Sequence, residues 1–312
     1  MRIRIFVFLL CGLLVFSGCS SSTKKANQTN DTIIEVSDKE GNALQFKKTP
    51  TRVVALSSSW ADLWLLAGGS LIGTTSDVED RNLETDNVLS IVGTVKEPNM
   101  EEVLGLEPDF VILSQDISSH KNIANTLKDA KIPYYVTKVE TFNDYLKVLK
   151  DFTTITQKND HYQTYGKKLE MKVDTLLEKR PNNQQPSALF MRAFSTGVKA
   201  KASDHVVCTI LDDIGVNNIA TQEGFPLEDI SMEAIIEADP DYIFITMMGD
   251  EADAKQSVKT SLESHPTWQT LQAVKNHNVV FLEKELYQYK PNARWADAYE
   301  TILKIVYPDV YK

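Results

Sequence analysis

The sequence predicts an α/β protein of two doubly wound lobes, joined by a single long α-helix. Three observations lead there. Short apolar strands alternate with amphipathic helices in both halves of the chain, the pattern of parallel sheets covered on both faces. One unit is written twice: MEEVLGLEPDFVIL begins at Met100 and MEAIIEADPDYIFI at Met232, an offset of 232 − 100 = 132 residues. Its Met, Glu, Pro and Asp positions fall in register, and a unit used once per half implies paired lobes rather than a stacked array. Between the halves, DHYQTYGKKLEMKVDTLLEKR carries Tyr162, Tyr165, Leu169, Val173, Leu176 and Leu177 at helical spacing, with no proline before Pro181.

The elements follow in order. TIIEVSDKEGNALQF alternates apolar and polar residues around Gly41-Asn42 and reads as a hairpin. RVVALSSSW is a strand running into a serine loop, ADLWLLAGG a helix stopped by Gly68-Gly69, and LIGTTS a second short strand. PNMEEVLGLE is a helix with Asn99 as N-cap and Glu102 completing a capping box. PDFVILS, HKNIANTLKDA and IPYYVTK read as strand, helix and strand, followed by the helical FNDYLKVLKDFTTI. After RPNNQQPS the order restarts: strand ALFMRAF, helix VVCTILDDIG, helix SMEAIIEAD capped by Ser231, and strand PDYIFITM. Helix HPTWQTLQAV, strand NVVFLE and helix ARWADAYETILKIVY close the chain.

Composition fixes the class. The 312 residues are 42% apolar and 24% charged, enough for one large core or two ordinary ones. A net charge of −10 argues against a nucleic-acid partner, which wants a basic face. The start, MRIRIFVFLLCGLLVFSGCSSS, has Arg2 and Arg4, an apolar run too short to span a bilayer, and Ser17-Gly18-Cys19. That is a secretory leader, and Ser-Gly-Cys resembles a bacterial lipobox with Cys19 as the lipidated first residue of the mature chain. Phe16 departs from the leucine usual three residues before the cysteine. Removing 1–18 takes away two arginines, so the mature charge is −10 − 2 = −12. Cys208 is then left without a disulfide partner. The expected division is a leader over 1–18, a flexible tether over 19–31, a first lobe over 32–157, the linking helix over 158–181 and a second lobe over 182–312.

Four segments in this order resemble the class III substrate-binding proteins of ATP-driven importers, the branch serving ferric siderophores, haem and cobalamin. They are RVVALSSSWADLWLLAG with IGTTS, VGTVKEPNMEEVLGLEPDFVI, DISMEAIIEADPDYIFI, and HPTWQTLQAVKNHNVVFL running into YKPNARWADAYETILKIVYPD. The resemblance implies two Rossmann-like lobes bridged by a rigid helix with a ligand cleft between them, little lobe movement on binding, and a monomer tethered outside the cell by lipid on Cys19. It implies an ABC permease dimer as partner, with a ferric siderophore as ligand, or haem or cobalamin as the alternative. It also implies that Glu101 and Glu233, the matching glutamates of the two lobes, dock on arginines of the permease. Either carboxylate would also serve its own helix dipole with no partner at all.

In parallel α/β sheets the loops after the strand ends form the binding crevice. Those loops here are Ser57 to Trp60, Thr74 to Asp77, Ser114 to Asp116, Arg192 to Lys199, Met247 to Asp250 and Glu285 to Tyr289. An anionic chelate or a tetrapyrrole wants aromatic walls and a few cations. The candidate ligand contacts are therefore Ser58, Ser59, Trp60, Lys96, Arg192, Lys199, Met247, Tyr287, Tyr289 and Arg294, with Arg192 first. KPNARW, from Lys290, marks the resemblance, and its Arg294 and Trp295 could face the cleft or pack between lobes. Met247, Met248, Tyr287 and Tyr289 are the possible axial ligands for a haem. The five histidines show no pair at metal-ligand spacing, so no metal site and no cofactor is expected. A secreted α/β hydrolase is the remaining alternative. ALSSSWA lacks the glycines of a nucleophile elbow, and no GxGxxG after a strand, P-loop or HExxH is present, so a binding protein and not an enzyme is expected.

Overall fold

The computed structural model describes residues 33–312 apart from 82, 84, 86 and 87. The leader, Cys19 and the tether lie outside the described residues. β1 (Ile34–Ser37) and β2 (Ala43–Phe46) form the expected antiparallel hairpin, with Ile34 opposite Phe46. Ile34, Val36, Leu44 and Phe46 point inward. Asp38 ties the hairpin down: its carboxylate accepts from Asn42 N at 2.8 Å and from Val136 N, in the first sheet, at 3.1 Å.

The first sheet is parallel. It runs β5 (Ser90–Ile91), β4 (Gly73–Thr74), β3 (Val53–Ala55), β6 (Phe110–Ser114), β7 (Tyr134–Thr137) in space. α1 (Ser58–Leu66), α2 (Met100–Gly105) and α3 (Ser118–Asp129) connect its strands. The order reverses direction between β3 and β6. The chain then continues in α4 (Phe142–Thr156), opened by a complete capping box of Thr141 and Asp144 and ended by Gln157 in the left-handed region at φ +59°. Helix resumes in α5 (Asn159–His161), widens into a π-helical turn over Tyr162–Lys167, and continues as α6 (Lys168–Glu178). Gly166 sits in that turn because a Cβ there would lie 2.9 Å from the Tyr162 ring.

The second sheet runs β10 (Asn217–Asn218), β8 (Ser187–Phe194), β11 (Tyr242–Met247), β12 (Val279–Phe281), all parallel. Its order reverses between β8 and β11. One strand of this sheet departs from expectation. Arg192 to Lys199 is no open loop: β9 (Gly197–Ala200) folds back antiparallel on β8 and pairs Arg192 with Lys199. Gly197, at φ +146°, makes the turn. α7 (Val206–Asp213) and α8 (Met232–Ala238) fall where expected. α9 (Glu251–Val258) is additional. Asp250 caps it, and Ala254, Val258 and Leu262 are buried at four-residue spacing. α10 (Gln272–Lys275), α11 (Lys284–Tyr287) and α12 (Trp295–Val306) complete the chain.

The repeated unit has a structural explanation. In each copy a short helix ends at a left-handed residue, Glu107 at φ +46° or Asp239 at φ +34°. A proline follows, and then an aspartate that anchors the neighbouring strand. Asp109 accepts from the backbone N–H groups of Thr51 and Arg52 at 3.0 and 2.8 Å, just before β3. Asp241 accepts from Ser187 N and Ser187 Oγ, both at 2.8 Å, where β8 begins. The repeat thus sets the register of the central strand pair in each sheet, β3–β6 and β8–β11.

The largest apolar cluster draws on both halves of the chain. Within it Phe142 of α4 lies 5.7 Å from Trp295 and 6.5 Å from Tyr299 of α12, ring centre to ring centre. Trp295 is fully buried in this cluster, so of its two expected placements it takes the packing one.

Candidate ligand-binding site

Each sheet has one point where strand order reverses, and the loops at its carboxyl end are placed to bind ligand. At the first, between β3 and β6, several polar side chains are paired with one another, while Ser119 Oγ and Thr137 Oγ1 are buried with no hydrogen-bond partner among the described residues. Ser57 caps α1 by accepting from Ser59 N. Ser58 is buried, and both its N–H and its hydroxyl donate to Asp77 Oδ2, at 3.0 and 2.7 Å. The Trp60 indole N–H donates to Ser114 Oγ at 2.5 Å, and the ring is in the core. Ser114 N–H donates to His120 Nδ1 at 2.9 Å, and His120 Nε2 lies 2.9 Å from the Val95 carbonyl. Burial holds the pKa of His120 below the usual imidazole range, so Nε2 carries the proton towards Val95.

The second reversal point, between β8 and β11, is cationic. Arg192 projects from β8 and is half-buried. Its Nη2 donates to Met248 Sδ at 2.9 Å and to Gln288 Oε1 at 3.4 Å, and its guanidinium lies 5.5 Å from the Phe194 ring centre. Its Nε is buried with no hydrogen-bond partner among the described residues. Burial lowers its pKa, and the field of Asp116 from the loop after β6 opposes that fall. Lys290 and Lys201 are both half-buried, and Lys290 is close enough to Arg192 for the guanidinium charge to act on it. Their ammonium groups make no hydrogen bond or ion pair among the described residues. Lys290 has its pKa lowered by burial; the charges of Asp116 and Glu140 oppose this, and those of Arg192 and Lys138 add to it. His205, its ring tilted against Phe190 with centres 4.6 Å apart, is held well below its usual range by burial and then by Arg192, Lys290 and Lys201.

The remaining candidates are scattered by the fold. Tyr287 is buried and donates to the Ala298 carbonyl at 2.9 Å, and Met247 is packed in the second core cluster. Trp60 and Tyr287 are thus core residues rather than cleft walls. Lys199, on β9, is ion-paired with Glu228 on the surface. Arg294 is held among Glu283, Glu285 and Asp297 at 3.1–3.8 Å. Tyr289 donates its hydroxyl to Asp80, which also pairs with Lys284 at 3.1 Å. Lys96 lines a shallow groove of about 360 Å³ with Ser76, Asp77, Glu79 and Asp80, at the edge of the first reversal point. Glu101 and Glu233 are both exposed at the second position of α2 and α8. Lys290 is the residue that sequence reasoning left out of the site. The signal was present in KPNARW, where a lysine and a proline lead from a loop into a helix start.

The sequence profile of the Periplasmic binding protein family matches residues 53–286. The chain belongs to this family. It is an extracytoplasmic substrate-binding protein with an ABC permease as partner, and not an enzyme. Among curated relatives it is 27% identical to the Fe(3+)-citrate-binding protein YfmC of Bacillus subtilis strain 168, over 99% of this chain and 97% of that one. It is 24% identical to the Fe(3+) dicitrate-binding periplasmic protein FecB of Escherichia coli K12, over 80% and 81% of the two chains. Among solved structures, Staphylococcus aureus SirA complexed with staphyloferrin B superposes with a TM-score of 0.68 at 19% identity, covering 87% of this chain and 98% of that one. Helices, sheets and lobes of this periplasmic-binding-protein type are therefore common to both.

Proposed function

We propose that this protein captures an anionic ferric chelate, of the ferric citrate or carboxylate-siderophore class, and delivers it to its permease. The observation that carries the reading is the wall at the second reversal point. Arg192 and Lys290 bring half-buried positive charge together with no carboxylate in ion-pair contact among the described residues. A desolvated cation pair with no ion-pair partner favours a polyanionic ligand, and a guanidinium with free donors matches carboxylate geometry. The kinship with proteins named for ferric citrate points the same way. A haem reading has less support, because Met247 and Tyr287 are buried, Met248 accepts from Arg192, and the Tyr289 hydroxyl is engaged by Asp80.

Delivery runs through Glu101 and Glu233, exposed at equivalent places in the two halves and free to pair with permease cations. Lipid on Cys19 holds the protein at the membrane. Intrinsic tryptophan quenching against ferric citrate, ferric hydroxamates and catecholates, hemin and cyanocobalamin tests the ligand. Saturable sub-micromolar quenching by ferric citrate or another carboxylate chelate is expected. Saturation by hemin or cyanocobalamin alone would replace the reading.

A further inference from the structure

Lys290 is gripped by its main chain, from the other half of the molecule. Its N–H donates to Ser59 Oγ at 3.4 Å, and its carbonyl accepts from Arg81 Nη1 and Nη2, both at 3.3 Å. Arg81 is itself fixed by Asp62 Oδ2 at 2.8 Å and touches Ser59 Oγ at 3.3 Å. Asn292 closes the ring: its Nδ2 donates to the Ser59 carbonyl at 2.9 Å and to Asp62 Oδ2 at 2.7 Å. Asn292 is fully buried and held at φ +48°, a left-handed conformation in which asparagine is better tolerated than most residues. Two residues before Lys290, Gln288 reaches Arg192. The bonds to Lys290 and Asn292 join α1 and the segment after β4 to the loop between α11 and α12.

A lysine stem has high rotamer entropy and an ammonium that prefers water. Keeping it beside a second cation therefore needs a rigid main chain under it. Asp62 is the anion of the ring. Burial raises its pKa, and Arg81 and the Asn292 amide act against that rise. It pairs with Arg81, so the Lys290 ammonium keeps no ion-pair partner among the described residues, although the fields of Asp116 and Glu140 reach it.

We propose that the Ser59–Arg81–Asn292 ring is a specificity device, which positions Lys290 beside Arg192 so that the wall selects anionic over neutral or cationic ferric chelates. The inference rests on the anionic-chelate reading above. Ser59, Arg81 and Asn292 are positioning residues, and Lys290 is the residue that meets the ligand.

The test is a double-mutant cycle on the full chain in detergent, titrated with ferric citrate and with ferrioxamine B, a cationic trihydroxamate chelate. Arg81→Lys keeps the charge but loses the two-pronged grip, and Ser59→Ala removes only the hydroxyl. Each is expected to lower ferric citrate affinity about tenfold in the native background, and less than twofold once Lys290→Met is present. The preference for ferric citrate over ferrioxamine B should fall by the same factor. Equal losses in both backgrounds, or unchanged affinity in both variants, would overturn the positioning role. Arg192→Gln separates this from failure of the underlying reading. If it weakens ferric citrate while Lys290→Met does not, the ring inference alone is wrong. If neither matters, or the native chain binds no ferric citrate, the anionic-chelate reading falls and takes the ring with it.

Discussion

The two halves of this protein share their scaffold and differ in their binding walls. Both copies of the repeated unit do the same structural work: a capped helix, a left-handed residue, a proline, and an aspartate fixing the next strand through Thr51 and Arg52 or through Ser187. At the opposite ends of those strands the halves diverge. At its reversal point the first half pairs Ser58 with Asp77, Trp60 with Ser114 and His120 with Ser114. The second half leaves Arg192, Lys201 and Lys290 without carboxylate partners among the described residues. A pre-paired wall offers shape, and an unpaired cationic wall offers charge selectivity. Duplication fixes the frame, and the ligand chemistry sits where the copies stop matching.

The symmetric part of this comparison breaks most sharply at the docking glutamates. Replacing both Glu101 and Glu233 with alanine is expected to abolish uptake of labelled ferric citrate in cells while leaving affinity in solution intact. A loss of affinity in that double variant would remove the docking role. A smaller effect should come from the strand anchors. Asp109→Ala and Asp241→Ala each remove carboxylate hydrogen bonds to backbone N–H groups, and each should cost about 1–2 kcal/mol in urea unfolding. Costs differing severalfold between the two would show that the copies do not carry equal structural weight. The mildest effect is on pH dependence. His120 and His205 have folded-state pKa values below the ordinary 6.5, so the unfolded chain binds more protons in that window. Stability from their burial is complete above about 6.5 and declines as pH falls towards the folded values. Melting temperature should drop from pH 7 to pH 5, and His120→Gln should flatten part of that slope. A melting temperature indifferent to pH over this range would contradict the assignment of buried neutral imidazoles.

Much of the frame was legible because its signals are local. Asn99 and Ser231 cap their helices as their side chains predict, and the apolar runs of β6 and β11 are buried. The capping box at Glu102 was half right: Asn99 accepts from Glu101 N and Glu102 N, and no return bond from the Glu102 side chain forms among the described residues. β9 was missed although Ser195-Thr196-Gly197 is a turn signal, because Arg192 was read as leaving its strand for the cleft. α9 was missed because Asp250 followed by acidic residues resembles a solvated loop until Ala254, Val258 and Leu262 are seen to line up. The binding wall was only partly legible. Arg192 follows from its place on a strand, whereas Trp60 and Tyr287 looked like cleft aromatics and are core. Their hydroxyl and indole partners, Ala298 in α12 and Ser114 at the end of β6, come from other elements of the fold. Lys290 was overlooked for the same reason, since its position is set by Ser59 and Arg81 from the other half.

The most direct test of the central claim is ferric citrate titration of the full chain and of Arg192→Gln and Lys199→Gln, by calorimetry at low and moderate salt. Arg192 is half-buried and lacks a carboxylate partner, so its loss should cost about 2–5 kcal/mol of binding at either salt concentration. Lys199 is paired on the surface with Glu228, and its loss should leave affinity unchanged. Equal effects of the two substitutions, or no effect of Arg192→Gln, would contradict the assignment of ligand recognition to the cationic wall of the second half.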